Sequence, residues 1–308
     1  MDGGLNITYI TLGGLVDMDK YKVLFFVFIF VIYLLIIVSN CTIVYLIWIQ
    51  QSLHEPMYVF TAALLINSVL FSTVIYPKLL IDILSEKQVI VYSACLLQVT
   101  MFYSVGGSEF LLLAAMAYDR YVSICKPLQY PSIMKKSTVG ILLALAWILP
   151  VSQVAASTGL NANKHLCSSK LKGFFCNNTF FKLQCAISVG QVIDHMVILV
   201  NVALLPVLFI VFTYTRILII CFRSSREVRK KATQTCTPHI IVLINFSCLC
   251  SFDVIIVHLD SDFPKTLRFI MTLKLILYHP LFNPVIYAIK MKEISKHLKR
   301  LLFPAKQI

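Results

Sequence analysis

Apolar residues gather in seven long runs separated by short polar stretches, at Val23–Ile49, Met57–Leu80, Ser93–Ala117, Thr138–Ser157, Val189–Ile220, Ile240–Val257 and Thr266–Ile289. About twenty helical residues at 1.5 Å each cross roughly 30 Å of hydrocarbon, and each run is of that order. The runs are continuous instead of alternating over about ten residues, which favours helices over a barrel. The pattern predicts an all-α membrane protein, a seven-transmembrane helix bundle over 23–289 in one domain, with tails at 1–22 and 290–308. No internal repeat appears. The first 22 residues lack a basic front, apolar core and small-residue cleavage site, so the first span is expected to serve as the insertion signal.

Composition and charge sharpen this picture. Of the 308 residues, 59% are hydrophobic and only 13% charged, too apolar for a chain surrounded by water. The net charge of +13 sits almost wholly in 118–137, 221–239 and 290–308, which share one side with 50–56, while the opposite side is close to neutral. The positive-inside rule then places the amino terminus outside and the carboxyl terminus in the cytoplasm of a multi-pass plasma-membrane protein. Because these cations flank spans in short loops, they point to anionic membrane lipid and a cytoplasmic partner, with no nucleic acid expected.

Four of the ten cysteines, Cys95, Cys167, Cys176 and Cys185, fall on the oxidising side, with three pairings open. The other six lie in spans or near the cytosol, Cys221 being a palmitoylation candidate. Asn6-Ile7-Thr8 is a glycosylation sequon on the outer side, making Asn6 the acceptor. Asn177-Asn178-Thr179 also qualifies but adjoins Cys176. Along the third span, Cys95 and Arg120 stand roughly 37 Å apart by helical rise, and Glu109 about 16 Å from Arg120. A carboxylate at that depth needs a partner, a cation or a proton.

The chain contains Leu53-His54-Glu55-Pro56-Met57-Tyr58, then Met116-Ala117-Tyr118-Asp119-Arg120-Tyr121 running on to Tyr130, Lys231 to His239, and Pro280-Leu281-Phe282-Asn283-Pro284-Val285-Ile286-Tyr287. In this order the motifs resemble the olfactory (odorant) receptor branch of the rhodopsin-like G-protein-coupled receptors over nearly the whole chain. The resemblance implies a receptor, not an enzyme, that binds a small-molecule odorant and activates a heterotrimeric G protein of the stimulatory type, raising cyclic AMP in olfactory sensory neurons. Phe174-Phe175-Cys176 is similar to the family's outer-loop motif, which implies Cys95–Cys176 and leaves Cys167–Cys185. It also implies coupling and switch roles for Asp119, Arg120, Tyr121, Tyr214 and Tyr287. The ligand positions it implies are Phe102, Tyr103, Gly106 and Gly107; Ile198, Leu199 and Val202; Ser247, Cys250, Ser251 and Val254; and Leu273 and Leu277.

Departures from the family pattern fall at Ser68 for the usual Asp of the second helix, Ser247 for the Tyr of the sixth, and Ser39 for the Gly of the first. A sodium ion of the family type would rest on Glu109, Ser68, Asn67 and Asn283, one carboxylate short; no other cofactor is implied. The substitutions look like those of fish-type odorant receptors. Leu277 stands where opsins carry the retinal Lys, and Phe102 where amine receptors carry an Asp. Asp194, His195, Asp253 and Lys274 are candidates to orient a polar odorant. Two alternatives are a rhodopsin-like receptor for another small ligand and a transporter or channel using Glu109 and Lys274; for the latter, no inverted repeat appears.

Overall fold

The computed structural model describes residues 8–15, 21–222, 226–258 and 264–302, with the side chains of 227–235, 252–258 and 302 excepted. Seven helices cross the molecule: α1 (Lys22–Ile49), α2 (Pro56–Leu84), α3 (Tyr92–Cys125), α4 (Lys136–Asn161), α5 (Val189–Phe222), α6 (Arg226–His258) and α7 (Lys265–Lys290). A shorter helix, α8 (Lys292–Leu302), follows. This is the seven-transmembrane bundle that the apolar runs predict, and each run falls inside one helix. Most helices outlast their runs: α3 continues past Ala117 to Cys125, because an α-helix satisfies its own backbone groups as it leaves the hydrocarbon. Pro56 starts α2 at a position where its missing N–H costs no hydrogen bond. In α5, one π-helical stretch at Val200–Leu204 interrupts the α geometry and accompanies an inward Val202.

Position in the bundle follows burial. In its most apolar stretch α3 is 67% buried against 22% for α4 and α5, so α3 runs through the centre. Meanwhile α4 and α5 turn Leu145, Ile148, Leu208 and Phe212 outward, where lipid belongs. The core falls into three clusters. One gathers Leu64, Leu113, Met116, Tyr214, Phe246 and Tyr287. A middle one holds Phe71, Ile75, Phe102, Phe175 and Phe269. The third lies under a lid and includes Ile10, Leu12, Cys95, Cys176 and Phe180.

Two prolines inside α7 create a specific problem. Pro280 and Pro284 cannot donate to the carbonyls four residues back, those of Ile276 and Pro280. Other helices supply the missing donors: Tyr76 of α2 donates its hydroxyl to Ile276 O at 3.2 Å, and Asn40 of α1 donates Nδ2 to Pro280 O at 3.0 Å. The seventh helix is thereby tied to the first two at its weakest points.

The lid was not legible as structure in the sequence. Within the stretch read as a plain tail, β1 (Tyr9–Leu12) lies between β2 (Val89–Val91), antiparallel, and β3 (Lys170–Leu171), parallel. Strand alternation buries Ile10 and Leu12 and exposes Tyr9 and Thr11.

Candidate functional site

At the lid end, a disulfide joins Cys95 at the start of α3 to Cys176, with Cα atoms 5.4 Å apart, and a second joins Cys167 to Cys185. Gln98 Oε1 accepts from Cys176 N at 3.0 Å, and the Tyr103 hydroxyl accepts from Asn178 N at 2.9 Å. The loop is thus pinned to two successive turns of α3. From it Phe175 reaches down onto Phe102, ring centroids 5.0 Å apart, and Phe102 in turn meets Phe71 at 5.1 Å. A cavity among Gly14, Phe174, Arg268, Phe269 and Thr272 opens beside the lid; none of the expected ligand residues lines it.

Those residues divide. Phe102 and Tyr103 touch edge to face, and a Cβ on Gly106 would meet nothing within 4 Å. Leu273 and Leu277 pack against the middle cluster, Cys250 against the cluster around Phe246. Ile198 and Ser247 are half-buried. By contrast, a Cβ on Gly107 would lie 2.2 Å from Val202 Cγ1 and 3.0 Å from Pro150. Gly107 and Val202 therefore serve close packing of α3 with α4 and α5 and leave no room for a ligand between them. Leu199 is 44% exposed and Ser251 is exposed, so neither joins the interior. The Val254 and Asp253 side chains and Asn6 lie outside the described residues. Asp194 and His195 are half-buried near the loop, the His195 ring tilted against Phe181 at 4.5 Å, while Lys274 is exposed. Asn177 is buried, its Oδ1 accepting from Thr179 N at 3.1 Å. Cys221 is buried too, facing the bundle instead of lipid.

Midway along α3, Glu109 is 1% exposed and fully engaged. Its Oε2 accepts from Asn67 Nδ2 at 2.8 Å; its Oε1 accepts from Asn283 Nδ2 at 3.4 Å and lies 3.1 Å from His279 Nε2. Asn283 Nδ2 also donates to Ser68 Oγ at 2.9 Å, and Trp147 Nε1 to Asn67 Oδ1 at 3.3 Å. Hard cations bind oxygen. Here nitrogen donors face the carboxylate, the Asn67 oxygen is taken by Trp147, Ser68 supplies no charge, and Asn283 adds only a neutral Oδ1, buried with no hydrogen-bond partner among the described residues. The set does not fit the sodium ion that the family resemblance implies. His279 was missed at the sequence level, although a His inside an apolar run, one helical turn before Asn283, carries the same warning as Glu109.

At the opposite end, which bears the basic segments, Asp119 and Arg120 form a buried pair, with Arg120 Nε donating to Asp119 Oδ2 at 2.9 Å. Tyr130, from a helical turn beyond α3, donates to Asp119 Oδ1 at 2.8 Å. Burial first and the Asp119 charge second push its hydroxyl well above the usual tyrosine value, so it stays a donor at physiological pH. Tyr121 packs half-buried on the core. The Tyr214 and Tyr287 hydroxyls are buried with no hydrogen-bond partner among the described residues, and His239 stands 5.8 Å from the Tyr287 ring. Arg120 thus has a carboxylate partner on its own helix and Tyr214 of α5 and His239 of α6 nearby.

The sequence is similar to those of known proteins. Residues 29–305 match the family profile described as "Olfactory receptor". Among similar human proteins, olfactory receptor 5F1 is 32% identical over 301 residues, covering 96% of this chain and 95% of that protein. Olfactory receptor 2AG2 is 34% identical over 299 residues, covering 96% and 93%, and olfactory receptor 13C2 is 32% identical over 298, covering 94% of each. These are receptors, not enzymes. With the seven helices, the lid disulfide and the buried Asp119–Arg120 pair in place, the chain belongs to the olfactory receptor family.

Proposed function

We propose that this receptor takes a small-molecule odorant beneath the lid, against Phe102, Tyr103 and Gly106 of α3, with Ser247 and Cys250 of α6 and Leu273 and Leu277 of α7 opposite. The walls are mostly apolar with a few hydrogen-bonding groups, the usual design for such ligands. A ligand shifts the receptor only by binding one arrangement better than the other. In the resting arrangement Arg120 is held by Asp119, itself braced by Tyr130. In the active one the ends of α5 and α6 move apart and Arg120 turns to the Tyr214 and Tyr287 hydroxyls and to a heterotrimeric G protein. The partner is of the stimulatory type and raises cyclic AMP; the amino terminus is extracellular, the carboxyl terminus cytoplasmic, and the site of action is the plasma membrane of olfactory sensory neurons.

The observation that carries this reading is a single helix, α3, tied to the lid through Cys95 at one end and holding the Asp119–Arg120 pair at the other. The test is a screen of amino acids, amines, bile-acid-like steroids and volatile organics against a cyclic AMP reporter. A hit is expected to vanish with Arg120→Ala at unchanged surface expression; a response that survives that substitution would falsify the coupling route.

A further inference from the structure

We infer that His279 takes the place of a cation at the centre of the bundle, closing the Glu109 carboxylate to sodium and linking it to the sixth helix. This stands apart from the odorant reading and concerns a pair to which no role has been assigned. An ionised carboxylate in a low-dielectric interior is tolerated only with compensation. Here side chains supply it: His279 Nε2 at 3.1 Å and Asn67 Nδ2 at 2.8 Å, one on each oxygen, with Glu109 and His279 each 1% exposed. With Nε2 3.1 Å from Oε1, the imidazole holds the place against that oxygen that a cation would need. One face of that ring lies against Phe246 of α6, centroids 4.4 Å apart, and its neighbourhood continues edge-on to Phe71 at 5.9 Å. Phe246 also meets Phe110, one residue beyond Glu109, at 4.8 Å. With Ser247 bringing no ring beside Phe246, the His279–Phe246 contact joins α6 and α7 next to the Glu109 carboxylate. His279 is therefore a positioning residue: it fixes the carboxylate, and through Phe246 it fixes α6.

The test needs neither odorant nor G protein, so its failure is separable from failure of the proposed function. The purified full chain is melted in detergent in sodium chloride and in choline chloride, both at about 0.15 M. A site that binds sodium only when folded is stabilised by it. The wild-type protein is expected to melt at the same temperature in both salts. His279→Ala is expected to melt lower in choline and to rise by about 2 °C or more in sodium, because the uncovered carboxylate then admits the ion. Adding Glu109→Gln to that variant is expected to abolish the rise. Should the alanine variant not fold, His279→Asn removes the ring but keeps a polar group, with the same rise expected. Stabilisation of the wild type by sodium, or a ring-deleted variant indifferent to it, overturns the inference.

Discussion

Gly106 and Gly107 are neighbours in sequence with opposite duties, and the difference lies in what a methyl group at each would strike. At Gly107 it meets Val202 and Pro150 at once; at Gly106 it meets nothing. Gly107→Ala should therefore cost about 1–3 kcal/mol by overpacking, read as a lower melting temperature. Gly106→Ala should melt like wild type and instead weaken responses to the bulkiest odorants. Equal destabilisation by both would show that the space beside Gly106 is not available. Tyr130 offers a second test. Tyr130→Phe removes one donor from the buried Asp119, a loss of about 1 kcal/mol, so ligand-free nucleotide exchange should rise about fivefold. An unchanged basal rate would mean that Asp119 does not need this brace. His279 was not singled out from sequence because its partner is far away in the chain: Glu109 and His279 are 170 residues apart yet in contact. Tyr130 ends a motif read from sequence, but that its hydroxyl turns back to Asp119, 11 residues before it, was not legible there.

Elements were legible where periodicity and length speak for themselves. All seven spans are visible as apolar runs, since a bilayer imposes one length on every crossing. What could not be read was pairing. A four-residue strand such as β1 takes its identity from β2 and β3, not from its own composition, and Pro206 marks an interrupted hydrogen bond in α5 without saying that the backbone answers it with the π-helical stretch at Val200–Leu204. The α7 prolines stand in the sequence for anyone to see, but Tyr76 and Asn40, which answer their freed carbonyls, could not be read from it. Tyr76→Phe should cost about 0.6 kcal/mol, the usual size of a polar contact between membrane helices, with thermal unfolding as the measure; a loss of zero would indicate that Ile276 O finds another donor. The two disulfides should also differ. Their sequence separations are 81 and 18, and loop-closure entropy grows with loop length. Replacing Cys95 and Cys176 by serine should destabilise by about 1 kcal/mol more than replacing Cys167 and Cys185, beyond any loss of odorant response from an unpinned lid.

For the molecule as a whole, the two ends of the bundle differ in charge and in covalent chemistry, and the two differences agree. One end carries both disulfides, which persist in an oxidising compartment. The other is flanked by 118–137, 221–239 and 290–308, where Lys and Arg exceed Asp and Glu, and each such cation near an anionic leaflet contributes about 1 kcal/mol. Among the cysteines left unpaired, Cys125, Cys221 and Cys236 belong to the parts of α3, α5 and α6 nearest this basic end. Both differences should therefore orient the chain the same way, with the lid outside. An epitope placed before Tyr9 should be stained on intact cells, and one placed after Leu302 only once the cells are permeabilised. Adding lysines beside the lid, for instance at Thr11 and Glu86, should lower the stained fraction without altering the protein made. If both epitopes stain on intact cells, the seven-crossing topology fails. If only the carboxy-terminal one does, the bundle stands but its lid faces the cytosol, where the disulfides that pin it would be reduced.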